Sequence, residues 1–253
     1  MKEISLVIPA TPGDAVFLPE LLRAINQGRV IPNEIIISIS VGKDVPAQLV
    51  REIENEFGRV TRGSVILNHE IFLASGNRNR GAALASGEII AFFDADDLPH
   101  PQLLEVVAFM FDNYDILHLN HCTTQDKLST APITKIGTVD SNFLYSAYFP
   151  HGDFLECTSL AGCYGAGLPA KFGAVHSGHT YVHRDVLANI SWREPIHRAL
   201  KNAEDYEFCM EVLYKHKKSI IIDSVLSHFR PSMSRGQNRH GYKNAQYINV
   251  TDA

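Results

Sequence analysis

Little in this sequence points to a membrane, a nucleic acid or an oxidising compartment. No long apolar run is present: the stretch from Ile4 to Ala10 contains Pro9 and is followed by Pro12. That is too short for a signal-peptide core and far below the roughly 20 residues of a membrane span. A basic excess is missing too. Lys and Arg number 23 against 28 Asp and Glu, a formal charge of −5, whereas duplex binding needs a basic stripe. Cysteine is scarce, four in 253 residues with no C-x-x-C pair, which excludes a disulfide scaffold. His118, His121, Cys122, Cys157 and Cys163 do not have the spacing of a usual structural zinc site, and buried thiols with scattered imidazoles account for them. The expectation is a cytoplasmic protein with no integral membrane segment and no nucleic-acid partner.

What is present is core-forming material. The chain is 45% hydrophobic and 20% charged, so disorder is excluded and either one large or two small domains would fit the length. Short β-branched or aromatic runs at Ile4 to Ile8, Ile35 to Ile39, Val65 to Leu67, Ile89 to Phe93 and Ile116 to Leu119 read as buried strands. Between them, Ala15 to Asn26, Ala47 to Phe57, Ala74 to Ala85 and Pro101 to Asn113 carry helical spacing. This alternation predicts an α/β fold, a mostly parallel sheet with right-handed crossovers, which binds ligands beyond the carboxyl ends of its strands. From His121 to Gly178 the pattern breaks, with seven of the chain's 17 Gly in that stretch. A long loop-rich segment of this kind is more often functional than idle. Beyond it, Thr180 to His183 reads as a strand, Glu204 to His216 as a helix and Ser219 to Asp223 as a final strand.

The sharpest local signal is AFFDADD, residues 91 to 97. Asp94, Asp96 and Asp97 leave the end of an apolar strand together, and their mutual repulsion disfavours three charges unless a cation sits among them. Hard oxygen ligands favour Mg²⁺ or Mn²⁺, and with it a phosphate-bearing substrate. Alone, the run reads equally well as a solvated turn in which Asp97 caps the next helix.

The surrounding motifs resemble glycosyltransferase family 2, enzymes of GT-A fold that use nucleotide diphosphate sugars. SLVIPAT (Ser5 to Thr11) matches the opening strand, and NRNRGAALASGEIIAFFDADD (Asn77 to Asp97) matches the A-R-N-x-G, A-x-G and D-x-D-D succession. GHTYVHRDVL (Gly178 to Leu187), the E-D pair in NAEDYEFCMEVL (Asn202 to Leu213) and SHFRPSMS (Ser227 to Ser234) follow in family order. The likeness runs from about residue 4 to 234 and implies one GT-A domain over 1–253. Its 1–120 half would bind the nucleotide sugar, and its 121–240 half the acceptor and the catalytic group.

The resemblance also implies residue roles. Pro9, Ala10, Thr11, Ser40, Arg78, Asp94 and Ala95 would line the nucleotide, with a UDP-sugar as first choice of donor and a GDP-sugar as second. Asp96 would bind Mn²⁺ or Mg²⁺, with His228 as a further ligand, and the ion would act as Lewis acid on the leaving diphosphate. Asp94 and Asp96 can share a ligand because Ala95 points the other way in extended chain. Asp97 would cap or orient. Asp205 would be the general base that takes the acceptor hydroxyl's proton in an inverting transfer. Arg80 would lie outward on a surface acid, Asn79 would hold the neighbouring loop, and the segment from Arg230 to Arg239 would close over the diphosphate. Trp192 would either stack on an acceptor sugar or anchor the core. The acceptor would be a glycan, a lipid-linked sugar or a protein hydroxyl, the second placing the protein peripherally at a membrane. One departure stands out: family members carry acidic residues at the end of the second strand, where one contacts the base, and this chain has Ile39 and Ser40 there. Rival readings are a non-catalytic sugar-nucleotide or glycan-binding module and phosphatase-type chemistry. The latter wants its D-x-D near the amino end and a hydroxyl residue where Leu98 stands. Nucleotidyl transfer is disfavoured because no Gly-rich loop follows the first strand.

Overall fold

A computed structural model describes residues 2–58, 60–112, 114–119, 129–136, 138–139, 180–193, 208–209, 211–212, 215–216, 218–222 and 224–228. The strands are β1 Ile4–Ala10, β2 Glu34–Ile39, β3 Arg62–Leu67, β4 Ile89–Phe92, β5 Leu98–Pro99, β6 Ile116–Leu119, β7 Thr138–Val139, β8 Thr180–His183, β9 Ser219–Ile222 and β10 Ser227–His228. The α-helices are α1 Leu18–Asn26, α2 Ala47–Asn55, α3 Ala74–Leu84 and α4 Leu103–Met110. Among the described residues the main sheet runs β3-β2-β1-β4-β8-β6-β9-β7, and β5 pairs with β10 separately.

The apolar runs explain the centre of this sheet. Every residue of β1 and β2 is buried, as parallel strands covered on both faces require. Their register places Ala10 beside Ile39, and β4 continues on the other side with Val7 beside Phe92. Strand β3 starts three residues earlier than its apolar run suggests, at Arg62. As the sheet edge it is largely exposed, so its polar first half carries no burial pattern to read.

The half beyond β4 supplies the antiparallel part of the mostly parallel sheet. Strand β8 occupies the slot between β4 and β6 and is antiparallel to both. It reaches that slot from much later in the chain, so the run of consecutive parallel neighbours ends at β4. The pairings of β7 with β9 and of β5 with β10 are two-residue bridges, too short for any periodicity.

Helix α3 departs in a more telling way. Its buried residues are Ser75, Asn77, Arg78 and Gly81, so the inward face is polar where helical spacing of apolar residues was expected. Two glycines let this helix and its exit press against β1. A Cβ on Gly81 would run into Val7 Cγ1, and one on Gly87 would meet Ser5 Oγ at 2.5 Å and Ser5 N at 2.7 Å. The A-x-G segment is further tied to β8 by Arg184, whose Nη1 donates to the Ser86 carbonyl at 2.6 Å.

Candidate active site

At the carboxyl ends of β1 and β2 the buried polar face of α3 becomes a closed network. Asn77 Nδ2 donates to the Ala10 carbonyl at 3.2 Å and to Ser40 Oγ at 2.7 Å. Its Oδ1 accepts from Ser38 Oγ at 3.0 Å and from Asn68 Nδ2 at 3.2 Å. Ser40 also donates to the Phe72 carbonyl at 2.8 Å and accepts from its N–H at 3.1 Å. The Ser40 hydroxyl, fully buried, thus has its proton and both acceptor positions taken within the protein. It braces β2 to α3 and has no group left for a base. Pro9 and Ala10 are buried as well, leaving Thr11 as the partly exposed member of its trio. Thr11 is held by Asp14, whose Oδ2 accepts from the Thr11 N–H at 3.0 Å and its hydroxyl at 2.7 Å. Sequence reasoning missed Asp14, although T-x-x-D ahead of a helix has capping-box spacing.

One helical position after Asn77, Arg78 points into the site with 2% exposure, and its Nη2 donates to Asp94 Oδ1 at 2.8 Å. The Asp94 side chain is 31% exposed, so this charge-assisted pair keeps one side open to a ligand. Beyond it the expected alternation appears: Asp94 and Asp96 are partly exposed, and Ala95 and Asp97 are buried. Tyr181, on β8 opposite Ala91, is buried with no hydrogen-bond partner for its hydroxyl among the described residues. Burial, then the charges of Asp97 and Asp94, hold its phenol well above the ordinary value, so it stays protonated. No local pattern marks it as part of the site, because β8 joins the sheet from far along the chain.

The short β5–β10 pair brings His228 to the acidic turn. His228 lies opposite Leu98, two residues past Asp96, and its Nε2 is buried without a hydrogen-bond partner among the described residues. An orphaned imidazole nitrogen on the strand paired with the segment just after Asp96 fits a divalent ion such as Mn²⁺. Among the described residues no three His, Cys, Asp or Glu side chains converge into a cage. A closed cage is not what Mg²⁺ or Mn²⁺ needs when phosphate oxygens complete the shell, since one or two carboxylates then suffice.

Two further side chains frame the turn. His100 is buried, and burial lowers its pKa, so the ring is neutral. Its Nδ1 accepts from the Gln102 N–H at 3.1 Å, which assigns the proton to Nε2, 3.2 Å from the Ala131 carbonyl. Gln102 Oε1 accepts from the Ile133 N–H at 2.7 Å. The segment around Ala131 to Ile133 is therefore pinned beside the acidic turn.

The remaining expectations divide clearly. Arg80 is exposed, pairs with Glu70 at 3.1 Å and lies over the Phe72 ring, as its outward placement required. Asn79 grips the main chain of Trp192, donating to its carbonyl at 2.6 Å and accepting from its N–H at 3.0 Å. Trp192 itself is 2% exposed and stacked on Phe208, so of its two readings the core anchor holds and acceptor stacking does not. Asp205, the Arg230 to Arg239 segment, and His121, Cys122, Cys157 and Cys163 lie outside the described residues. Phe208 and Val212, which follow Asp205, are helical and buried.

A family model described as glycosyl transferase family 2 matches residues 5–175. No curated protein sequence matches the chain. Among solved structures, S. aureus TarS 1–349 in complex with UDP-GlcNAc aligns at TM-score 0.63 and 15% identity, covering 90% of this chain and 58% of that one. The mannosyltransferase PcManGT from Pyrobaculum calidifontis, in complex with GDP-Man and Mn²⁺, aligns at 0.59 and 13%, covering 94% and 61%. M. tuberculosis glucosyl-3-phosphoglycerate synthase aligns at 0.54 and 16%, covering 95% and 80%. These likenesses establish the GT-A fold, and the chain spans less than two thirds of the TarS and PcManGT chains.

Proposed function

Because the chain belongs to glycosyl transferase family 2, we propose that it moves a sugar from a nucleotide diphosphate donor to a hydroxyl acceptor with inversion at the anomeric carbon. The observation that carries this reading is the Arg78–Asp94 pair, a buried guanidinium on a half-open carboxylate at the carboxyl end of β4. Ligands of parallel α/β sheets bind at that end. Asp94 would contact the nucleotide sugar, and the Arg78 charge beside it would favour the phosphate oxygens of the donor. Asp96 and His228 would hold Mn²⁺ or Mg²⁺ against the diphosphate, where the ion supplies Lewis-acid stabilisation of the leaving group. With the Ser40 hydroxyl engaged by Phe72 and Asn77, base recognition would fall to main-chain groups beyond β1 and β2. We take the whole chain as one domain around this site, with a UDP- or GDP-sugar as donor and a glycan, lipid-linked sugar or protein hydroxyl as acceptor. Among the described residues no helix is long and apolar enough to cross a membrane.

Asp205 would be the general base, three residues before Phe208 in the sequence. Replacing Asp205 by Asn should leave nucleotide binding intact and abolish transfer, measured by calorimetry and by release of nucleotide from a nucleotide sugar. Transfer at the parent rate would remove the base assignment. A parent chain that binds nucleotide sugar and never turns it over would favour a binding module, the reading that the missing acid after β2 supports.

A further inference from the structure

Trp192, the chain's one tryptophan, touches groups from two separate parts of the site. On the donor side, the Arg78 guanidinium carbon lies 4.8 Å from the Trp192 ring centroid, and Asn79, next to Arg78 on α3, holds the Trp192 main chain at both its N–H and its carbonyl. On the other side Phe208 stacks on the ring, with centroids 3.8 Å apart and planes at 12°. Phe92 of β4 meets both rings edge-on, at 5.1 Å and 6.2 Å. The next residue, Arg193, reaches Glu211 at 2.8 Å. Trp192 and Arg193 therefore fasten to Phe208 and Glu211, one helical turn apart and just downstream of Asp205.

From this arrangement we infer that Trp192 is a positioning residue that couples occupancy of the donor site to the helix following Asp205. The inference rests on the glycosyl-transfer reading above. A diphosphate arriving at Asp94 competes for the Arg78 guanidinium, because both are anions seeking the same N–H fork. Arg78 cannot shift without moving across the Trp192 face. The indole Nε1 is buried and has no hydrogen-bond partner among the described residues, so none of them pins the ring in its own plane through a polar contact. Arg78, Phe208 and Phe92 all contact the ring, and close-packed aromatic contacts transmit displacement instead of absorbing it. The Arg193–Glu211 pair adds a second attachment, so a shift at Arg78 reaches the helix as a displacement of the turn that begins at Phe208.

The test uses the full chain with UDP or GDP, whichever raises its melting temperature, in the presence of Mn²⁺. In the parent, nucleotide should change the emission of Trp192 and slow amide exchange in the peptide spanning 205–213 by about five- to tenfold, a usual size for coupling between sites. Trp192→Leu should bind the nucleotide with affinity within about threefold of the parent, well inside such a coupling, and show none of the slowing. Trp192→Phe, which keeps an aromatic stack on Phe208, should restore it. Slowing that persists in Trp192→Leu overturns the inference, as does a parent that binds nucleotide with unchanged emission and exchange. Equal loss of nucleotide affinity in both variants also overturns it, because the residue would then be structural only. A parent that binds no nucleotide diphosphate removes the donor reading itself, and the melting measurement alone detects that.

Discussion

At the amino ends of the central strands, Glu34 is 6% exposed and surrounded by donors. Ser5 gives it a short hydroxyl contact, Ser86 donates through both its N–H and its hydroxyl, and Gly87 donates its N–H at 3.2 Å. Asp94, at the carboxyl end of the same sheet, has one strong donor in Arg78 and leaves about a third of its side chain exposed. Both carboxylates contact α3 or the turn after it, yet on one the donors of the fold converge on a single oxygen, Oε1, with Arg62 3.8 Å from Oε2, and the other is held half open. A buried carboxylate gripped by donors of its own fold serves the fold. One that is aimed by a buried cation and left half open serves a ligand.

The largest expected effect comes from breaking the open end. Asp94→Asn should lower nucleotide-sugar turnover by about 10²–10³-fold, the scale for losing one preorganised electrostatic contact, with little change in melting temperature. A large fall in melting temperature would make Asp94 a second Glu34 and erase the contrast. Next is Glu34→Gln, which should destabilise the chain by about 1–3 kcal/mol, because the charge-assisted bonds onto Oε1 become neutral ones and the Arg62 ion pair at Oε2 is lost. Turnover of the folded fraction should stay at the parent level.

The Glu34 network also sets an acid limit on stability. Burial opposes the charge, but the Ser5 hydroxyl and the Ser86 and Gly87 donors outweigh it, so the carboxyl lies below its ordinary value of 4.5. A depressed carboxyl contributes stability that is fully present above its unfolded pKa and is lost as pH falls through the folded value. Melting temperature should therefore lose this contribution only below about pH 4.5, and Glu34→Gln should flatten that part of the acid limb. A parent profile that began to fall near neutrality would point to a different group.

The smallest effect sharpens the contrast through the backbone. Val41, just past the end of β2, has φ 50° and ψ 45°, a left-handed conformation that is costly for a β-branched residue. Among the described residues it is the non-glycine residue at positive φ, and it stands at the ligand end of the sheet, where strain is characteristically stored. Val41→Gly should raise stability by a net of about 0.5–1 kcal/mol once the extra entropy of unfolded glycine is counted. A drop in melting temperature would show that the Val41 side chain makes contacts worth more than the strain.

The same contrast separates what could be read in advance from what could not. Strands β1, β2 and β4 are continuous apolar runs, and burial on both faces leaves no other way to satisfy them. The acidic turn was legible because three carboxylates follow such a strand and the motifs around them fall in family order. Helix α3 misled because its inward face is Ser75, Asn77, Arg78 and Gly81, a departure from apolar patterning that marks a site and hides from a periodicity search. The antiparallel entry of β8, the β5–β10 bridge that delivers His228, and the burial of Trp192 depend on long-range pairing. The engagement of Ser40 by Phe72 and Asn77 is invisible for the same reason, since each partner comes from a different element.

The donor-site claim is tested most directly by melting the chain with a panel of nucleotide diphosphates, each with and without Mn²⁺. At a hundredfold excess over Kd, a bound nucleotide stabilises by about 2.7 kcal/mol, or roughly 5–10 °C for a chain of this size. The account predicts such a rise for at least one nucleotide, in the presence of Mn²⁺ and not without it, and its loss in Asp96→Asn. No metal-dependent rise with any nucleotide diphosphate would contradict it.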